Sequence, residues 1–397
     1  MKQTGPATLD AVVVGGGPAG CVAATLLARA GLRTVLLEQS RFPRDKVCGE
    51  CVSALGCDVL TRLGAMKSLR ASGATELRNA MIVSLSGRAA HLVLPHQMMG
   101  LTRSVMDAEL ISLAANSGVR VIQPARVEEI DGSREASCVR FRDLDTGEVQ
   151  RLSGRVIVVA DGKSILPTGR PVATRDMGVK GHFRGVDFPA STIGLLALPG
   201  HYIGIAPVER GFWNLAMSVP STTLKAVQGN LHSLFDQLVP KNPVLAAAMK
   251  SAHRVGDWKA SPLPRFAVRR EWPRGMVLVG NAAAALEPIG GEGMGLAMRS
   301  AELAASEVIA ALATNRPIEQ EALVEQYEQL WSSRRVACRA GALVMSRPWT
   351  SEAAVALLRA APMVGRLAMY LSGKSHRSNN DPDARPTADN PLPSSTT

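Results

Sequence analysis

The chain has 397 residues, 46% hydrophobic and 20% charged, and a net charge of +11. That length suits two domains or one large α/β domain with an inserted sheet, and the composition supplies a substantial core. Aromatic residues are only 4%, which argues against a pocket of stacked rings. With no nucleic-acid motif beside the basic residues, it also argues against nucleic acid as a partner. No run approaches the ~18 apolar residues of a spanning helix, and the amino terminus lacks the pattern of a signal peptide. The sequence therefore reads as cytoplasmic, with its six cysteines as reduced thiols.

Residues 11–14 are a short β-branched run, the pattern of a buried parallel strand. Gly15, Gly17 and Gly20 follow as G-x-G-x-x-G, then a helix-forming segment over 21–30, a stop at Gly31, and a second strand over 34–37 ending at Glu38. Gly15 permits the tight turn, Gly17 lets the backbone approach a pyrophosphate, and Gly20 lets the helix pack close to the strand. Free N–H groups and the helix dipole favour phosphate charge there, and Glu38 is placed to accept from a ribose diol. Together they predict a dinucleotide site.

A basic loop over 41–50 and a helical stretch to about Leu69 come next. Strands are expected over 81–85 and 90–94, joined at Ser86-Gly87. Arg103 opens a helix to about Asn116, and strands follow over 119–122, 126–130, 138–142 and 156–159, the last running into Ala160-Asp161-Gly162. From 174 to 218 the pattern alternates, as in an antiparallel sheet facing a ligand. Residues 222–253 read as helical, broken by Pro240 and Pro243. A buried strand over 276–279 enters Gly280-Asn281, and a long helix starts near Glu292. Helices run to about Ser372, and the Ser-, Asn-, Asp- and Pro-rich remainder reads as a disordered tail.

Three further motifs line up with the first: the strand ending in Asp161-Gly162, Arg103 with Asp107 and Leu110, and the stretch from Gly280-Asn281 through Pro288 to Gly293-Met294-Gly295. The set resembles the FAD-dependent group A monooxygenases of the para-hydroxybenzoate hydroxylase fold and the related geranylgeranyl reductases, over about 10–305. The resemblance implies an α/β fold: a Rossmann-like FAD-binding domain, an inserted antiparallel substrate sheet and carboxyl-terminal helices. The FAD-binding part would comprise 1–80, 101–173 and 273–315, the substrate sheet 81–100 and 174–272, the terminal helices 316–375 and the tail 376–397. It implies that Gly15, Gly17, Gly20 and Glu38 hold the ADP half of FAD, that Arg103 reaches the phosphates, and that Val127 lies near the adenine. Asp161 and Gly162 would lie near the pyrophosphate and the path of a nicotinamide cofactor. Pro288, Gly293, Met294 and Gly295 would set backbone N–H groups against the flavin ring. Where the family usually has Gly-Asp, this chain has Gly280-Asn281; Asn keeps an acceptor for the ribityl chain but loses charge assistance, about 1 kcal/mol, so weaker FAD retention is expected.

The loop Arg44-Asp-Lys46-Val-Cys48-Gly49-Glu50 looks like the Cys-Gly segment of geranylgeranyl reductases, beside the flavin ring. Cys48 is the candidate catalytic residue, as a polar contact or proton donor. With Cys51 it also makes C-x-x-C, leaving open a redox dithiol, a zinc site, for which no second ligand pair exists, or small residues with no redox duty. No metal site is otherwise expected. His182, Arg184, Tyr202, Trp213 and Met217 are the candidate pocket walls.

The activity first implied is NAD(P)H-dependent monooxygenation of an organic small molecule, in which oxygen adds to the reduced flavin. A reductase of prenyl double bonds and a non-catalytic flavin-binding maturation factor are the alternatives. Finally, eight basic residues (Arg334, Arg335, Arg339, Arg347, Arg359, Arg366, Lys374, Arg377) face one acid, Glu352, near the carboxyl end. Arg359, Arg366 and Lys374 read as one basic stripe beside an apolar face, kinked at Pro362. This is either a helix docked on the body or a peripheral attachment to an anionic membrane, suited to an apolar substrate.

Overall fold

The structure, a computed structural model, describes residues 9–132, 137–162, 176–264 and 266–371. The tail expected over 376–397, with Lys374 and Arg377, lies outside them. Strands β1 (Leu9–Val14) and β2 (Thr34–Leu37) are Val- and Leu-rich, as a parallel sheet covered on both faces requires, and α1 (Pro18–Arg29) crosses between them. The loop to residue 50 leads into β3 (Cys51–Val52), α2 (Ala54–Arg62) and α3 (Met66–Ala71). Strands β4 (Thr75–Val83) and β5 (Ala89–Gly100) form a hairpin longer than the pair expected over 81–94. Helix α4 (Arg103–Asn116) has the bounds read from the sequence, because Thr102 caps it by accepting from Val105 N at 3.3 Å.

Strands β6 (Arg120–Ile122), β7 (Ala125–Gly132), β8 (Ser137–Asp143) and β9 (Val149–Val159) complete most of the first sheet. Its order is β6-β2-β1-β9-β8-β7. The second half of β9 pairs parallel with β1 and its first half antiparallel with β8. Strands β10 (Asp176–Arg184), β11 (Thr192–Leu198), β12 (His201–Pro207) and β13 (Trp213–Pro220) build the second sheet. Helices α5 (Ser221–Ala226), α6 (Leu231–Leu238) and α7 (Pro243–Met249) lead into β14 (His253–Pro262). That last strand begins where the helical reading of 222–253 ends, on residues for which the sequence offered no element. It is polar and largely exposed, and backbone pairing to β10 holds it rather than its own side-chain pattern.

The second sheet runs β14-β10-β13-β12-β11-β4-β5-β3, antiparallel except for the parallel pair β11–β4. Strand periodicity sends Val179, Phe183, Leu215 and Met217 to one face, against Leu234, Phe235 and Leu238 of α6. Lys180, His182, Asn214 and Ala216 take the other face, toward the first sheet. Two expected pocket walls are thereby corrected: Met217 is buried on the helix-covered face, and Trp213 meets Phe188 edge-on there at 5.9 Å. Arg184 also leaves the pocket, stacking its guanidinium over Phe212 at 4.2 Å.

Strand β15 (Met276–Leu278) returns to the first sheet beside β9. Helices α8 (Gly293–Ala313), α9 (Gln320–Met345), α10 (Pro348–Ala360) and α11 (Pro362–Leu371) end the described chain. The last two are bent by 117°. Arg359 and Arg366 therefore sit on separate helices, not on one kinked stripe. Among the described residues no single helix is long and apolar enough to cross a membrane.

Candidate functional site

The first turn is a cradle that only small residues permit. Gly15 has φ +104°, and a Cβ on it would stand 2.5 Å from the Ala160 carbonyl oxygen. A Cβ on Gly20 would stand 1.8 Å from the Gly15 carbonyl oxygen, so α1 crosses β1 with its backbone in contact. Over Gly17, at the N-terminus of α1, two guanidinium groups converge: Arg103 Nη2 lies 3.8 Å and Arg44 Nη2 4.0 Å from where its Cβ would be. Lys46 Nζ approaches Gly162 in the same way, at 3.2 Å. Burial pushes the Lys46 ammonium down to about 8, and the neighbouring Arg103 and Arg44 push in the same direction. Cations gathered this closely around a helix N-terminus fit a pyrophosphate.

Glu38, at the end of β2, is buried and already committed. Its Oε2 accepts from Gly16 N at 2.7 Å and its Oε1 from Ser40 N at 2.8 Å. Each oxygen keeps a lone pair for a ribose hydroxyl. Ala125 N donates to the Glu38 carbonyl at 2.7 Å, so β7, with half-buried Val127, starts beside this acid. Arg103 is held by a bidentate pair to Asp107 at 2.8 and 2.6 Å. Burial opposes its charge, and Asp107 more than offsets that, so the guanidinium ends above its usual range.

Between these groups and the second sheet lies an array that the sequence did not reveal. Glu50 is fully buried with φ +56°, a strained conformation for a side chain of this kind. Its Oε1 accepts from Arg103 N at 2.9 Å and from Lys180 Nζ at 2.5 Å, and its Oε2 pairs with His182 Nε2 at 2.6 Å. Lys180, itself buried, also bridges to Asp45 Oδ1 at 2.5 Å. The loop that carries Glu50, α4 and β10 are thus tied through one carboxylate. His182, with its side chain 19% exposed, is the more open of the two β10 groups on that carboxylate. The available signal was the placing of Lys180 and His182 at alternate positions within Met177–Phe183, whose other residues are apolar or glycine.

Cys48 lies on the same loop. Its Sγ meets Met294 Sδ at 3.7 Å, and its carbonyl accepts from Asn214 Nδ2 at 3.1 Å. Cys51 Sγ turns instead to the Gly49 carbonyl at 3.4 Å, so the two thiols have different partners. Pro288 opens a single 3-10 turn, and Gly291 follows at φ +66° before α8 begins. The first N–H groups of a helix have no intrahelical acceptor, which leaves those of Gly293, Met294 and Gly295 available to a ligand. A Cβ on Gly293 would meet nothing within 4 Å. One on Gly295 would stand 2.2 Å from Ser53 Oγ and 2.9 Å from Gly56 N, so this glycine also brings α8 and α2 backbone to backbone.

Gly280, at φ +60°, places its turn against α1, where its Cβ would lie 3.1 Å from that of Ala19. Asn281 beside it is exposed. Asp161 and Gly162 follow β9 at the carboxyl edge of the first sheet, with Gly162 at φ +70°. Tyr202 is buried and donates to Glu287 Oε1 at 2.7 Å, while Arg339 Nη1 donates to Glu287 Oε2 at 3.0 Å. Burial, then the Glu287 charge, raises the Tyr202 phenol well above its ordinary range.

The chain matches the FAD binding domain family over residues 8–338. It is 27% identical to conditioned medium factor receptor 1 of Dictyostelium discoideum, over 82% of this chain and 68% of that protein. It is also 27% identical to the menaquinone reductase of Mycobacterium tuberculosis, over 75% of each. Its fold is shared with a geranylgeranyl bacteriochlorophyll reductase-like protein of Thermoplasma acidophilum, with TM-score 0.74 and 22% identity, covering 89% of this chain and 91% of that one. The chain belongs to the FAD binding domain family and is an FAD-dependent oxidoreductase.

Proposed function

We propose that the protein is a reductase that saturates a carbon–carbon double bond of an apolar, prenyl-like or quinone-like molecule, with NAD(P)H as electron donor. The observation that carries this reading is the Glu50–Lys180–His182 array, whose Glu50 shares a loop with Cys48, the residue that meets Met294. Saturating such a bond requires a hydride on one carbon and a proton on the other. Bound FAD, once reduced, supplies the hydride. The proton is the task of His182. Its Nε2 is engaged by Glu50, so Nδ1 is the nitrogen that hands a proton to the substrate, leaving a neutral ring still bonded to the carboxylate. Lys180 balances the Glu50 charge and the Arg103 N–H donates to it, and solvent reprotonates the ring along its exposed edge.

The substrate would lie on the face of the second sheet that turns toward the cofactor. Gly204 and Ala216 leave space there: a Cβ on Gly204 would meet only the Ala216 carbonyl, at 3.8 Å. Cys48 and Met294 would bound the flavin side of that space, and the N–H groups of Gly293, Met294 and Gly295 would stabilise charge on the ring. Asn281 would hold the ribityl chain. The relative named menaquinone reductase suits reductive chemistry on this fold. Monooxygenation is the second reading, favoured by the same four motifs, and it does not require a donor of this type.

The direct test is His182→Gln. Loss of a positioned acid lowers turnover by roughly 10²–10⁴-fold, while NADPH still reduces the bound flavin at the wild-type rate. Equal turnover in the variant removes His182 from the chemistry, and Cys48→Ala then asks whether the thiol supplies the proton.

A further inference from the structure

We propose that α9, α10 and α11 form a docking surface for a bilayer carrying anionic headgroups, on which the protein lies without crossing. Eight of the eleven large hydrophobic side chains exposed among the described residues belong to these three helices. Chance scatter over the surface would not concentrate them so.

Each helix buries one stripe and turns a second apolar stripe outward. On α9, Val336, Ala340 and Leu343 follow at i, i+4 and i+7 on the exposed side, while Arg334, Cys338 and Met345 are buried. On α10 the outward stripe is Trp349, Ala353 and Leu357, opposite buried Ser351 and Val355; Trp349 is 88% exposed. On α11 it is Met363, Leu367 and Tyr370, opposite Gly365 and Met369; Met363 is 78% exposed. The three helices pack against one another.

Charge decides the occupant. Arg335, Arg347, Arg359 and Arg366 are exposed beside these stripes. The sole carboxylate among described residues from 334 onward, Glu352, is turned onto the body, where it accepts from Ser86 N at 2.8 Å and Ser86 Oγ at 2.9 Å. An apolar surface bordered by arginine, with Trp and Tyr included, matches the headgroup boundary of an anionic bilayer. A second copy of the chain would bring like charges together. The inference rests on these faces and stands whichever reaction the site performs, although it would give an apolar substrate a direct route from the membrane.

The FAD-loaded protein is tested by flotation with vesicles of phosphatidylcholine plus phosphatidylglycerol, against phosphatidylcholine alone. The expected result is flotation with the anionic vesicles, roughly tenfold or more weaker on neutral ones and reversed by high salt. Replacing Trp349, Met363 and Leu367 together by Ser, or Arg359 and Arg366 by Gln, should each abolish or sharply weaken flotation while flavin content and melting temperature hold. These side chains are outward-facing, so the fold does not depend on them. Failure of the wild type to float at low salt overturns the proposal. So does light scattering that shows a dimer which the Ser variant converts to monomer while flotation is unchanged, since a second copy would then cover the patch. Neither result bears on His182.

Discussion

The phosphate cradle and the Glu50 array are served by opposite ends of one loop, yet they are encoded in different ways. Arg44 and Lys46 reach back to Gly17 and Gly162, within a cradle whose shape comes from glycines five residues apart. Glu50 reaches forward to Lys180 and His182, more than a hundred residues away in sequence. The cradle works through backbone, where a side chain would collide. The array works through three titratable groups that are costly to bury unless all are paired. The glycine turn therefore depends on close backbone approach, and the array depends on how the second sheet docks on the first.

If that contrast is right, damage to the cradle should be the more severe. Gly20→Val puts side-chain atoms into the Gly15 carbonyl and should yield no protein that retains FAD, measured by flavin absorbance after gel filtration. Retention of a full complement would show that the close crossing of α1 and β1 is dispensable. Glu50→Gln should leave the flavin in place but remove the buried carboxylate that Lys180 and His182 share, leaving Lys180 with the part-exposed Asp45 alone, at a cost of about 3–5 kcal/mol in urea unfolding. Adding Lys180→Met should restore part of that stability, because the stranded cation is then removed. Strictly additive losses would mean that the two groups are not coupled.

A third experiment probes the loop end that faces the cradle. Because Lys46 is depressed to about 8 in the free protein, it is charged below that pH and largely neutral above it. Pyrophosphate favours the charged form, so binding FAD above about pH 8 must take up a proton. Affinity should weaken as pH rises from 8 to 10, by up to about tenfold per unit, and Lys46→Met should flatten the slope. The smallest effect concerns Asn281→Asp, which should tighten FAD by about 1 kcal/mol through a charge-assisted bond to the ribityl chain. Weaker binding in that variant would contradict the role given to this position.

The two regions also mark what the sequence could disclose. The cradle was legible because strand, glycine turn, helix and acid fall within 10–38, and each constrains its neighbour locally. Helix α4 has the bounds read from its residue pattern, and Thr102 caps its N-terminus. By contrast, β14 has no hydrophobic alternation and exists through pairing with β10. The separation of α10 from α11 was read as a kink in one helix, since Pro362 signals a break but not its angle. Trp213 and Met217 were assigned to the pocket because composition does not say which face of a sheet the helices will cover. Glu50 stands within the Cys48 loop and His182 reads from the sequence as a pocket wall, but nothing short of the packed structure joins them. The second role of Gly295 was hidden for the same reason, because Ser53 and Gly56 reach it from another helix.

The account stands or falls on whether the array donates a proton in a reduction. The most direct measurement is anaerobic turnover of the FAD-loaded protein with NADPH and a menaquinone or a polyprenyl alkene. The account predicts saturation of one double bond for each NADPH oxidised, with oxygen absent throughout. No turnover until air is admitted, followed by oxygen uptake and an oxygenated product, would contradict it.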